Sequence, residues 1–265
     1  MRMWKSVLFF LLAGFMSVSY AENNSANFSP AQQQAIQKIV HDYLVNNPQV
    51  LVEVAQSLQK QEQDKWKKTA DKTVPEIAAK LFNDKLAPVV GNPKGDVTLV
   101  EFFDYQCPHC KEMAAFVKDI TAKDKNLRVV YKVLPIFGDD SKVDAKAALA
   151  AYVQSPQKFV AFHEALMKLT EPLTKEVVLK VAAGVGLNVT QLQADMKNPA
   201  WDVEISENNA LAKKLNLTGT PAFVIAKVKY DSKTQQMISF KNPVLVPGAV
   251  DEATLLRAIS EARGG

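Results

Sequence analysis

The sequence predicts a mixed α/β domain interrupted by a long helical insertion and preceded by an N-terminal α-helical arm. Three observations carry that reading. An apolar run, Val97-Thr98-Leu99-Val100-Glu101-Phe102-Phe103, hands over to a helical pattern at residues 111–120 through Cys107-Pro108-His109-Cys110, which holds the chain's only two cysteines. An almost purely helical block, about residues 139–215, separates this unit from a later pair of β-rich runs. Ahead of both lie amphipathic helical segments with no strand to cover them.

The first residues read as a secretion signal. Arg2 and Lys5 form a basic start, residues 7–18 a twelve-residue apolar stretch, and Ser19-Tyr20-Ala21 a small-x-small cleavage site. The stretch is shorter than the roughly 20 residues of a membrane span, and no cysteine follows it to carry a lipid anchor. Residues 1–21 are therefore expected to be a signal peptide. The mature chain then starts at Glu22 and is exported to the periplasm or cell envelope, with peripheral membrane association left open. The signal holds two bases and no acid, so its removal takes the net charge from +4 to +2. A nearly neutral chain gives no reason to expect nucleic acid as a partner.

Residues 22–85 form the arm. Residues 22–27 are polar and expected to lack structure. Ser29-Pro30 reads as a helix cap followed by proline at the first helical position. Ile36, Ile39, Val40, Tyr43 and Leu44 follow at helical spacing. Asn46-Asn47-Pro48 interrupts the helix, and Leu51, Val54, Ala55 and Leu58 resume the pattern. Residues 59–72 are hydrophilic, with Trp66 as their sole large apolar residue, and suggest a stalk; a third helical segment, residues 75–82, leads to a turn at 91–96. A thin apolar stripe needs another surface. Such helices could fold back on their own domain, but the stalk favours association with a second copy: a homodimer through residues 28–85, with a trimer not distinguished.

Residues 86–263 form the main domain. After the strand at 97–103 and the helix behind the cysteines, residues 127–134 are β-rich and end at Pro135. The helical block contains expected helices at 142–153, 157–169, 175–183, 190–196 and 202–215. Strands resume at 222–228 and 236–240 around a turn near Asp231, and a last helix spans 252–262. A β-α-β unit, a helical insertion, a hairpin and a closing helix amount to a thioredoxin fold with a helical insertion.

The two cysteines narrow the chemistry. A disulfide between residues three apart closes almost no loop, so it restricts the unfolded chain little. Redox chemistry or metal binding remains. Zinc needs about four ligands, and the other histidines, His41 and His163, are expected at the surface or core edge with no second ligand pair. Lys111 after Cys110 excludes haem attachment. Met167, Met196 and Met237 are expected to pack rather than bind copper. No metal and no cofactor are expected.

A strand-to-helix handover places Cys107 at a helix N-terminus, where unpaired N–H groups favour an anion. Cys107 is thus the expected attacking sulfur, with Cys110, one turn further in, resolving the mixed disulfide. Pro108 restrains the start of the helix. His109 is expected to stabilise the thiolate through ring hydrogen bonds or charge. Glu101 is a carboxylate in an apolar strand, suited by burial to exchange protons with the inner thiol; the alternative is a solvent-facing residue or a partner of Lys132.

The segment from Glu101 to Cys110 resembles the active-site segment of the DsbA family of exported thiol–disulfide oxidoreductases. Thr218-Gly219-Thr220-Pro221-Ala222-Phe223 is similar to that family's cis-proline loop, and the resemblance runs from about Pro88 to Ala262. Tyr43-Leu44-Val45-Asn46-Asn47-Pro48 is similar to the oligomerisation arm of ScsC-like members. The resemblance implies a cis bond before Pro221, with Thr220 and Pro221 beside Cys107 pairing with extended substrate, and a buried acid at Glu101. It also implies unfolded or misfolded exported proteins as substrates, and a membrane redox partner, a DsbB-like oxidase or a DsbD-like reductase. Cys-Pro-His-Cys resembles oxidases, whereas Thr220 and the arm resemble isomerases. Two further readings stay open: an envelope interaction protein using the fold as a scaffold, and copper sequestration.

Overall fold

The computed structural model describes residues 28–264; the expected signal peptide and residues 22–27 lie outside them. The chain divides into two compact units, one ending at Ser57 and one beginning at Leu58. In the first, α1 (Pro30–Asn46) opens on a capping box in which Ser29 and Gln32 satisfy each other's backbone N–H groups. No residue of α1 is buried, and Ile39, Val40, Tyr43, Leu51, Val52 and Val54 stand exposed.

The second unit is built on a five-stranded sheet of β1 (Val89–Gly91), β2 (Val97–Phe103), β3 (Leu127–Val133), β4 (Ala222–Tyr230) and β5 (Met237–Val246). Their order is β1-β3-β2-β4-β5, with only β2 and β3 parallel. The crossover between that pair is α3 (Pro108–Lys123). The insertion comprises α4 (Asp139–Gln154), α5 (Pro156–Lys168), α6 (Lys175–Gly184), α7 (Val189–Asp195) and α8 (Ala200–Lys214), and α9 (Glu252–Arg263) closes the chain.

β2 and β3 are buried on both faces, as central strands covered by helices must be. Because side chains alternate, Leu99, Phe103, Val129 and Tyr131 enter one core with Met113 and Val117 of α3 and Leu255 and Ile259 of α9. Val100, Phe102 and Val130 enter a second core with Leu211 and Leu215. The rest of that second core comes from α2 (Gln49–Phe82), whose Ala70, Val74, Ile77, Ala78, Leu81 and Phe82 are buried.

That use of α2 differs from the sequence expectation. Residues 59–72 and 75–82 are not a stalk and a separate helix but parts of one continuous helix. Pro75 lies inside it. A proline there sacrifices a backbone hydrogen bond, but the buried stripe from Ala70 to Leu81 runs through it and packs on both sides of the break. Trp66 is half-buried against the same core. The compact unit therefore begins well before the expected boundary at residue 85. β1 was not expected; it forms antiparallel to β3 because Gly91, at φ +76°, lets the chain pass close to Leu127, where a Cβ would lie 2.5 Å from the carbonyl oxygen. β5 runs to Val246, beyond the expected Phe240, and an edge position tolerates its Pro243. The other expected elements are present, with ends displaced by a few residues.

A buried charge cluster ties these layers together. Lys132 is fully buried and pairs with Asp84, just past α2, and with Glu204 of α8 at 3.2 Å. Burial opposes ionisation of Asp84, but the charge and hydrogen bond of Lys132 hold its carboxyl below the ordinary range. Burial pushes Glu204 up, and Lys132 only partly offsets it, because one ammonium serves two carboxyls. Replacing Lys132 with Ala should therefore cost ~3–5 kcal/mol in urea unfolding of the reduced protein, since it strands buried acids without a cation. A loss below ~1 kcal/mol would mean that water already reaches the cluster.

Candidate active site

The Cys107–Cys110 segment sits where β2 ends and α3 begins. Asp104 organises the turn: its carbonyl accepts the Cys107 N–H at 3.1 Å and its Oδ1 the Gln106 N–H at 2.9 Å. Its Oδ2 accepts the N–H groups of Ile136 and Phe137, so the loop after β3 hangs from the same carboxylate. Cys107 is the N-cap of α3, with extended backbone, and Pro108 fills the first helical position, where no N–H is needed. Across from it, the Thr220–Pro221 bond is cis, and the Cys107 thiol donates to the Thr220 carbonyl at 3.3 Å.

Both cysteines are free thiols, with Cys107 only 1% exposed and Cys110 fully covered. Exposure thus ranks them weakly; acidity ranks them decisively. The Cys107 pKa falls to about 5, chiefly because the Cys110 thiol donates to its sulfur, which outweighs burial. The Thr220 side chain and the backbone N–H groups of Cys110 and His109 add to the effect. Thr220 Oγ1 has no partner among the described residues, which leaves its proton free to turn toward the thiolate. Burial and its donation to Cys107 instead push Cys110 far above the ordinary thiol range. At neutral pH the pair is one thiolate and one thiol.

Glu101 faces the α3 side of the sheet, and Lys132, one residue along β3 from its partner Tyr131, faces the other. The two cannot pair. Glu101 is buried, its Oε1 has no partner among the described residues, and loss of solvation alone raises its pKa to about 8. Its charge, when present, raises the Cys110 pKa further, so the two groups compete for a proton.

His109 departs from expectation in one respect. Its ring is exposed and lies 3.0 Å from Glu112 Oε2, and this contact raises its pKa. What His109 gives the sulfur as a hydrogen bond is its backbone N–H; the ring contributes charge alone. His163 is not at the core edge. It is buried among Phe103, Tyr131 and Phe159, bonded to the Tyr105 hydroxyl at 2.9 Å, and burial lowers its pKa to about 3.

The sequence reading missed Asp104, Gln106 and Asp144. An Asp three residues before a helix cap was a usable turn signal; the contact of Gln106 with Asp144, 38 residues on, left no local trace. A groove of about 1060 Å³ opens beside the motif, lined by Gln106, Pro108, Lys111, Phe159, Met167 and Leu169.

Comparison with known proteins agrees with this fold. Residues 98–260, which include both cysteines and Pro221, match the family model of the DSBA-like thioredoxin domain. The chain belongs to the DSBA-like thioredoxin family. It is a thiol–disulfide oxidoreductase. Residues 32–65 match the N-terminal domain of the copper resistance protein ScsC. A thioredoxin-like oxidoreductase from Silicibacter pomeroyi is 43% identical, covers 71% of this chain and 98% of its own, and superposes with a TM-score of 0.61. ScsC of Proteus mirabilis in a transitional conformation is 26% identical over 89% of this chain and 99% of its own, with a TM-score of 0.61. The Bordetella pertussis thiol:disulfide interchange protein DsbA is 27% identical over 144 residues, 52% of this chain and 67% of that protein. The chain also matches part of the sodium/proton antiporter NhaA 1 of Salinispora arenicola, spanning 21% of its length.

Glu101 supplies a test by linkage. Its folded pKa, about 8, stands above the ordinary 4.5, so its contribution to stability is intact below 4.5 and is lost as pH rises through 8. Glu101→Gln should therefore gain roughly 2–4 kcal/mol on the wild type at alkaline pH, and nothing at acid pH. It should also slow disulfide exchange while Cys107 still alkylates. Stability differences that stay flat across the range would show that the carboxyl is hydrated.

Proposed function

We propose that this DSBA-like protein works in the periplasm or cell envelope, where it forms disulfides in exported proteins and rearranges them through Cys107 and Cys110. The observation that carries this reading is the divided acidity of the pair, with Cys107 at about 5 and Cys110 far above it. In the oxidising direction a substrate thiolate attacks the Cys107 sulfur of the disulfide form. The Cys107–Cys110 bond breaks, and Cys110 departs with the electron pair and takes a proton, which Glu101 at about 8 holds ready at neutral pH. A second substrate thiolate then attacks the substrate sulfur, and Cys107 leaves as a stable thiolate. Two electrons pass to the protein, and a membrane oxidase of DsbB type would remove them. Thr220 and Pro221, facing Cys107, are suited to hold the substrate backbone.

Rearrangement has its own support. The exposed apolar residues of the arm and the match of residues 32–65 to the ScsC N-terminal domain favour an oligomer with several dithiols around one client. In that mode a DsbD-like donor keeps the pair reduced, and no net electrons flow. Purified protein should oxidise a reduced test protein and reactivate a scrambled one, and Cys107→Ser should abolish both. Failure in both assays would favour the scaffold reading instead.

The arm is tested separately. The chain from Glu22 should exceed monomer mass by light scattering, and a variant with Ile39, Val40 and Val54 changed to Glu should be a monomer. Equal monomer masses would contradict association through these residues.

A further inference from the structure

The redox motif is tied to the helical insertion on both sides. Ahead of Cys107, Gln106 Nε2 donates to Asp144 Oδ2 at 2.7 Å and to the Leu173 carbonyl at 2.9 Å. Behind Cys110, Lys111 Nζ donates to the Leu169 carbonyl at 2.7 Å. Both carbonyls belong to the segment between α5 and α6. One stretch of the insertion thus grips the residues just before and just after the dithiol.

Asp144 makes the arrangement hard to explain by packing. It is fully buried in α4, and its Oδ1 has no hydrogen-bond partner among the described residues. A carboxyl in that setting costs more than an apolar side chain of similar size. What Asp144 supplies in return is the acceptor that, with Leu173, uses both hydrogens of the Gln106 amide. The turn is otherwise held by Asp104, a member of the same loop. Gln106 anchors it to a separate layer of the fold, next to the sulfur on which a substrate pulls.

We propose that Gln106, held by Asp144 and Leu173, is a positioning residue for exchange: it fixes the turn that aims the Cys107 sulfur at the first N–H groups of α3. The proposal rests on the thiol–disulfide reading above and gives the insertion a part in the chemistry. When the anchor is lost, the sulfur drifts from its donors and holds its charge less well.

The test compares Gln106→Met, Asp144→Leu and Asp144→Asn in the full mature chain. Thiolate absorbance is followed across pH, and the rate of exchange with oxidised glutathione is measured. Below the wild-type midpoint, Gln106→Met and Asp144→Leu should each cut the thiolate fraction roughly tenfold. Asp144→Asn keeps an acceptor oxygen and should stay within about twofold of the wild type. Gln106 is half-buried in a loop, so its variant keeps the test open if Asp144→Leu does not fold. A Gln106→Met variant titrating like the wild type would overturn the proposal, as would Asp144→Asn behaving like Asp144→Leu or worse. A wild type that itself titrates like free cysteine would instead remove the parent reading.

Discussion

The whole site depends on splitting two chemically identical thiols into one anion and one neutral donor. Three residues of helix accomplish this. Cys107 caps α3 and collects hydrogen bonds from Cys110 and from backbone N–H groups, while Cys110, one turn in, gives up its own proton to that bond. Stabilising one sulfur therefore suppresses ionisation of the other. In the proposed exchange chemistry this sets a direction: a stable thiolate is a good leaving group, and a buried thiol is placed to close the internal bond.

The sheet extends the same logic through strand alternation. On the α3 face, β2 buries Glu101 without a cation, so its proton is held to about pH 8. On the opposite face, β3 buries Lys132 with two acids, and the charges hold α2, the sheet and α8 in one arrangement. Adjacent strands thus carry one buried acid without a cation and one base fully engaged in structure. A single-residue slip of β2 against β3 would turn Glu101 toward the Lys132 face and carry the core residues of β2 to the wrong side with it.

Much of this was legible in the sequence because it is local. The handover from Phe103 to Lys111, the expected cis bond at Pro221 and the place of Cys107 at the cap of α3 each need only a short window or the resemblance to known members. Helix ends in the insertion came within a few residues of those expected. What escaped depends on distant partners. Pro75 suggested a helix start, but burial against β2, β3 and α8 keeps α2 unbroken through it. His163 lies in the apolar stripe of α5 with Phe159, Phe162 and Leu166, but Phe103, Tyr105 and Tyr131, which complete its cage, come from distant parts of the chain. Gln106 and Asp144 are ordinary polar residues until the insertion folds them together. The contact of the His109 ring with Glu112 is the exception, since it spans only three residues of one helix.

The reduction potential of the Cys107–Cys110 couple, measured in glutathione buffers, tests the central claim most directly. A thiolate stabilised as strongly as Cys107 favours the reduced form, so the couple should be more oxidising than thioredoxin at about −270 mV and approach the range of DsbA at about −120 mV. A value at or below that of thioredoxin would contradict the account.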